Sequence, residues 1–219
     1  MRVGVFDSGR GGVFAGKYFC DAVKGVDTVI FSDTENAPYG NKSESELIGL
    51  LSRGIERLTS LGCELVLIAC CTASTVHKRL PRELARISVP IIEPTARKAC
   101  LATKNNRIAV VSTEATRRSR AFYESIGNIL PSAEVLAISS PLLVGLAEGG
   151  VCDESLTLAA RAELSRVIDS AKDFSADTLV LGCTHYAAFE KTAEQLFSGR
   201  IINSARVGAV ALAEKIKEE

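Results

Sequence analysis

Glu64-Leu65-Val66-Leu67-Ile68-Ala69-Cys70 and, 113 residues further on, Asp177-Thr178-Leu179-Val180-Leu181-Gly182-Cys183 decide the fold. Each is a continuous apolar run bounded by a polar residue, the pattern of a strand buried on both faces of a parallel sheet. Both runs end in a cysteine, with Thr72 two residues after Cys70 and Thr184 directly after Cys183. A second pair echoes at a similar offset, Arg2-Val3-Gly4-Val5-Phe6 with Arg107-Ile108-Ala109-Val110-Val111. Buried strands resemble one another in any α/β protein, but a cysteine at the same place in both copies favours two halves of one design.

Outward from these strands, helical patterns alternate with them. Residues 2–6 lead through Asp7-Ser8-Gly9-Arg10-Gly11-Gly12 into a helix over 13–23, and a strand over 29–32 precedes the turn around Ala37-Pro38-Tyr39-Gly40. Leu47, Leu50, Leu51, Ile55 and Leu58 are spaced as one helical face within 43–61. A helix is predicted over 72–84. In the second half, strands are predicted at 107–111, 134–138, 178–182 and 201–204, with helices through 118–123, over 153–171 and from 207. Strands alternating with helices define an α/β fold with parallel sheets and right-handed crossovers.

Composition narrows the function. The chain has 219 residues, 47% hydrophobic and 24% charged, enough apolar mass for one large or two small cores and too much for disorder. Twenty-six basic residues balance twenty-six acidic ones, so net charge supplies no reason for a nucleic-acid or anionic-membrane partner. Arg117, Arg118 and Arg120 read as an exposed helix start, and His77, beside Lys78 and Arg79, as part of a solvated face. No apolar run reaches the roughly 20 residues of a membrane span, and the first residues lack a signal-peptide pattern, so a cytoplasmic setting is expected. Seven cysteines at irregular spacing imply reduced thiols, of which Cys20, Cys63, Cys100 and Cys152 are assigned to packing.

In open parallel sheets ligands bind beyond the carboxyl ends of the strands, which is where Asp7, Cys70, Thr113 and Cys183 fall. Each half then delivers one thiol to a shared cleft, its thiolate favoured by a helix N-terminus. Asp7 is a candidate proton partner for one sulfur and His185 for the other. Two opposed acid–base groups in similar surroundings suit inversion of a stereocentre, one removing a proton from carbon and the other returning one to the opposite face. The carbon acid is weak, so donors must stabilise the developing charge; backbone amides at Ser8-Gly9, Tyr39-Gly40, Cys71-Thr72 and Thr184-His185 are candidates.

Taken in order, Val5-Phe6-Asp7-Ser8-Gly9, Ala37-Pro38-Tyr39-Gly40, Ala69-Cys70 through Thr72-Ala73-Ser74, Ile92-Glu93-Pro94, Thr113-Glu114-Ala115-Thr116 and Gly182-Cys183-Thr184-His185-Tyr186 resemble the cofactor-independent glutamate racemases over nearly the whole chain. Aspartate and hydantoin racemases share parts of the set. The resemblance implies two pseudo-symmetric Rossmann-like domains, 1–95 with 204–219 and 96–203, and an active site in the cleft between them. It implies Cys70 and Cys183 as the two bases and Asp7, His185 and Glu148 as further catalytic groups. Substrate contacts are implied at Asp7, Ser8, Pro38, Tyr39, Gly40, Cys71, Thr72, Thr113, Thr116, Thr184 and His185. The implied activity is interconversion of L- and D-glutamate for peptidoglycan, with no cofactor, no metal, a small-molecule substrate and a homodimer as an allowed assembly.

The chain departs from the family pattern at four positions: Cys71 stands where Asn is usual, Asn36 where Arg is common, Ser112 in place of Gly, and Asn203 in place of Asp. A thiol does not replace both the donor and the acceptor of an amide, which keeps open an aspartate or other amino-acid racemase, or a ligand-binding regulator without turnover. A zinc site from Cys70, Cys71, Cys183 and His185 is a rival, although the sequence has no C-x-x-C pair. The glycine-rich turn at 7–12 lacks the Lys-Ser/Thr of a phosphate loop.

Overall fold

The computed structural model describes residues 1–149 and 154–218. The first half runs β1 (Arg2–Asp7), α1 (Gly11–Ala22), β2 (Asp27–Ser32), α2 (Glu44–Ser60), β3 (Leu65–Ile68), α3 (Cys71–Ser74), α4 (Arg82–Arg86), β4 (Ser88–Pro90) and α5 (Ile92–Ala102). The second runs β5 (Arg107–Ser112), α6 (Glu114–Ser119), α7 (Ala121–Ile129), β6 (Glu134–Ser139), α8 (Pro141–Glu148), α9 (Glu154–Asp173), β7 (Thr178–Gly182), α10 (Glu190–Leu196) and β8 (Arg200–Asn203), after which α11 (Ser204–Glu218) follows.

The strands form two four-stranded sheets, ordered β2-β1-β3-β4 and β6-β5-β7-β8 and parallel at every pairing. Their topologies are the same, and the echoing pairs of the sequence, β1 with β5 and β3 with β7, occupy equivalent central positions. This is the expected pseudo-symmetric α/β architecture. Every residue of Leu65–Ile68 and Thr178–Gly182 is buried, because helices cover both faces of a parallel sheet and leave no polar side.

One cluster packs α2 against the first sheet through Leu47, Leu50, Leu51, Ile55 and Leu58, the face predicted from spacing. Each such side chain contributes about 1.5–3 kcal/mol on burial. The start of α2 is fixed by a capping box in which Glu46 N–H donates to Ser43 Oγ and Ser43 N–H to Glu46 Oε2. On the opposite face, Ala205, Ala209 and Leu212 of α11 pack with Ala15 and Phe19 of α1 and with Val3, Val5, Leu65 and Leu67, so the end of the chain returns to the first sheet.

Several local expectations change. The helix predicted over 72–84 is three pieces, α3, a 3₁₀ turn at His77–Arg79 and α4, since Pro81 has no N–H to continue the ladder. The helix through 118–123 is broken at Arg120, whose φ of 58° is left-handed, and Arg117 and Arg118 lie in the last turn of α6, paired with Glu114, instead of at a helix start. His77 is half-buried, with its Nε2 shielded from solvent, instead of lying on a solvated face; burial lowers its pKa. Cys63 packs in the core and Cys100, half-buried, packs against it, but Cys20 is exposed. Cys152 and the residue predicted to begin the helix at 153 lie outside the described residues, as does Gly150.

Candidate active site

The C-terminal ends of β1, β3, β5 and β7 converge on a cavity of 560 Å³ whose walls include Ser8, Gly9, Pro38, Tyr39, Gly40, Cys70, Cys71, Thr72, Thr113, Glu148, Cys183, Thr184 and His185. Sequence reasoning had named all but Thr34, Ala37, Asn41, Glu114, Pro141 and Val144 as site residues or site amides. Pro141 and Val144 belong to α8, which sequence reading did not find; Ser140-Pro141 directly after a strand, a capping residue followed by proline at the first helical position, was the available signal.

Cys70 caps α3. Its Sγ accepts from Ala73 N–H at 3.4 Å and lies 3.2 Å from Ser8 Oγ. Cys183 directly follows β7, and its Sγ lies 3.6 Å from His185 Nδ1, while the other ring nitrogen of His185 meets Glu148 Oε1. The two thiols therefore have different partners, a hydroxyl for Cys70 and an imidazole–carboxylate pair for Cys183. Arg10 holds Glu148 in turn, its N–H donating to Oε1 at 3.1 Å and its guanidinium to the Glu148 carbonyl at 3.4 Å.

Asp7 is fully buried and lies behind the cavity wall instead of lining it. One carboxylate oxygen accepts from Gly9 N–H at 2.9 Å and the other from Thr184 Oγ1 at 2.8 Å, so it ties the first half to the second and makes no hydrogen bond to Cys70. Gly9 N–H is thereby spent, which removes it from the candidate amides. Thr116 is also behind the wall. Its hydroxyl completes a triangle with those of Thr72 and Thr113, at 2.9 Å for Thr72–Thr113, 3.1 Å for Thr72–Thr116 and 2.9 Å for Thr113–Thr116, another tie between the halves.

Burial dominates the electrostatics. It pushes the Cys70 thiol up to about 11, with the nearby Asp7 charge adding to the rise. Cys183 is raised by burial and then by the neighbouring Cys71, which is itself raised by burial. Asp7 is raised by burial despite the opposing effects of His185, Thr184 and Gly9. The expected thiolate-favouring influence of the helix terminus is thus outweighed: α3 is one turn long, and desolvation disfavours the charged form more strongly than the hydrogen bonds from Ser8 and Ala73 favour it. Among the described residues, no group of three or more His, Cys, Asp or Glu is disposed to hold a metal ion, and no helix is long and apolar enough to cross a membrane.

The site is thus a cysteine-lined cleft at the joint of two like-folded halves. The Asp/Glu/Hydantoin racemase family profile matches residues 23–212. A glutamate racemase of Geobacter metallireducens is 35% identical over 219 residues, 98% of this chain and 80% of its own. Among solved structures, a glutamate racemase of Aquifex pyrophilus superposes with a TM-score of 0.79 at 30% identity, covering 100% of this chain and 85% of that one. The glutamate racemase of Francisella tularensis in complex with D-glutamate gives 0.87 at 25% identity, covering 99% and 81%. The chain belongs to the Asp/Glu/Hydantoin racemase family.

Proposed function

We propose that this chain interconverts L- and D-glutamate by proton transfer at Cα between two thiols, Cys70 and Cys183, without a cofactor, and so supplies D-glutamate for peptidoglycan. The observation that carries the reading is that these cysteines follow the carboxyl ends of equivalent strands in two sheets with one topology and line a single cavity. The glutamate racemases it resembles, one of them solved with D-glutamate, support the substrate.

In each direction one sulfur is the base and the other the acid. A thiol near 11 rests protonated at neutral pH, ready to donate to carbon, and the base must form when substrate enters. On the Cys183 side, His185 Nδ1 takes the thiol proton while Glu148 holds the other ring nitrogen and stabilises the imidazolium. On the Cys70 side, the thiol proton passes through the Ser8 hydroxyl, 3.2 Å from Sγ, to solvent as substrate enters, and the substrate ammonium supplies the positive charge that favours the remaining thiolate in a desolvated cleft. The thiolate removes the Cα proton, charge moves onto the carboxylate, and the opposite thiol returns a proton to the other face. In this reading the Thr72 and Thr113 hydroxyls and the N–H groups near Gly40 and Thr184 receive the substrate carboxylates, which their position on the cavity wall supports. Asp7 acts through its two hydrogen bonds, holding Thr184 and the Gly9 turn in place.

The division into 1–95 with 204–219 and 96–203 belongs to the same reading, supported by the packing of α11 on α1 and the first sheet. The test is to incubate chelator-dialysed protein with each enantiomer of glutamate and of aspartate and to follow optical rotation. Glutamate should racemise from either side; no turnover by folded protein, or a preference for aspartate, overturns the assignment.

A further inference from the structure

Tyr186 follows His185 directly, is fully buried, and has no part in the proton transfers above. Its hydroxyl donates to the Ser140 carbonyl at 2.7 Å, across 46 residues of sequence. Ser140, also fully buried, is the N-cap of α8: its Oγ accepts from Leu143 N–H at 3.4 Å and donates to Glu163 Oε1 at 2.6 Å. Glu163 is gripped by Arg166 through two bonds, 2.8 Å from Nε to Oε2 and 2.6 Å from Nη2 to Oε1, and Arg166 also donates to the Ser139 carbonyl at 3.3 Å. The chain of contacts runs from the segment carrying Cys183 and His185 to the first residue before α8, and from there into α9.

The last residue of α8 is Glu148, which meets His185. The Tyr186–Ser140 bond and the His185–Glu148 bond are therefore two rungs between the same pair of elements, one at each end of α8. Eight residues of helix span about 12 Å at 1.5 Å per residue, so a tilt of about 5° about the Ser140 end moves the Glu148 carboxylate by about 1 Å. That displacement takes a hydrogen bond beyond its working range.

We propose that Tyr186 and Ser140 are positioning residues that set the tilt of α8, so that Glu148 reaches His185 and the Cys183 half of the reaction is tuned independently of the Cys70 half. This rests on the two-thiol reading above. The Tyr186 hydroxyl suits the task because a buried phenol remains a neutral donor: burial raises its pKa well above the ordinary value.

Racemisation rates alone cannot test this. The enantiomers are equal in free energy, so any lesion lowers kcat/KM equally in both directions. A half-reaction separates the two sides. With a β-chloro amino-acid analogue, the thiolate takes the Cα proton, the C–H electron pair forms the Cα–Cβ double bond and chloride leaves with its pair; the enamine then hydrolyses to the keto acid and ammonium. Only one thiol acts on each enantiomer. C70S and C183S assign the enantiomers to the two sulfurs by which one each variant no longer processes.

Tyr186→Phe should then slow chloride release from the enantiomer assigned to Cys183 by about tenfold, a part of what general acid–base help supplies, and leave the other within about twofold. Ser140→Ala keeps the carbonyl that Tyr186 uses but loses the links to Glu163 and to the helix start; it should show the same one-sided loss, and it carries the test if Tyr186→Phe does not fold. Equal slowing of both enantiomers, or slowing of neither, overturns the positioning role. If C70S and C183S fail to separate the enantiomers, the two-thiol reading falls, and the positioning role with it.

Discussion

Replacing Gly9 by alanine should separate catalysis from stability. Gly9 does not occupy the left-handed region, so the backbone accepts a side chain without strain. The space does not: a Cβ there would overlap Glu148 Oε1 and lie 3.2 Å from His185 Nε2. The carboxylate is the free end of a flexible side chain, 37% exposed, and it will move aside. In doing so it gives up His185 Nε2 and Arg10 N–H. A hydrogen bond to a charged group contributes about 1.5–3 kcal/mol, and the exposure of Glu148 argues for the lower end. About 1.5 kcal/mol lost from the transition state is roughly a tenfold fall in kcat/KM. No core residue is displaced, so the loss of stability is confined to these contacts, at most about 1.5 kcal/mol, and Tm should fall by no more than about 3–6 °C. The assay is racemisation kinetics with both enantiomers beside a thermal melt. Unchanged kcat/KM in folded protein would refute the role given to Glu148, and a drop in Tm of about 10 °C would refute the claim that the contact is catalytic instead of structural.

Cys71→Asn should lower KM for glutamate severalfold, because an amide restores both a donor and an acceptor at the cavity wall, beside the buried Ser204 whose hydroxyl interacts with the side chain at position 71; a raised KM with aspartate improved would point to a different substrate. Thr184→Val should destabilise the protein by about 1–3 kcal/mol in urea unfolding, since it leaves a carboxylate oxygen of the buried Asp7 unpaired, and a neutral outcome would mean that water takes the place of the hydroxyl. Cys70 binds its proton more tightly folded, to about 11, than unfolded, near 8.5, so its contribution to stability is complete below pH ~8.5 and lost as pH rises through about 11. Unfolding free energy should therefore fall over that window, less so in Cys70→Ser; a flat profile in native protein would show that the thiol is not desolvated.

Much of the architecture lay in local sequence. Continuous apolar runs such as 65–69 and 178–181 have one stable environment, a sheet covered on both faces, and the repeated Cys and Thr at their ends placed both thiols at the same end of equivalent strands. The face of α2 followed from helical spacing alone. Short elements were less legible: α3 and α4 are each about one turn, and Arg120 breaks a helix through a left-handed backbone that its sequence does not announce.

What only the tertiary structure decided is which polar groups meet across the chain. Asp7 reads as a proton partner for a cysteine, but Thr184, 177 residues away, and Gly9 take its two oxygens. Family resemblance alone singles out Glu148, and only the fold shows that α8 brings it to His185; Tyr186 looks like one more core aromatic until its hydroxyl finds Ser140. The state of the thiols was decided there too, since a helix start argues for thiolate and only the surrounding burial shows that the neutral form prevails. Apolar periodicity is a property of neighbours in sequence and survives in the sequence. Desolvation and hydrogen-bond pairing depend on every element that closes around a group, so they exist only once the two halves have come together.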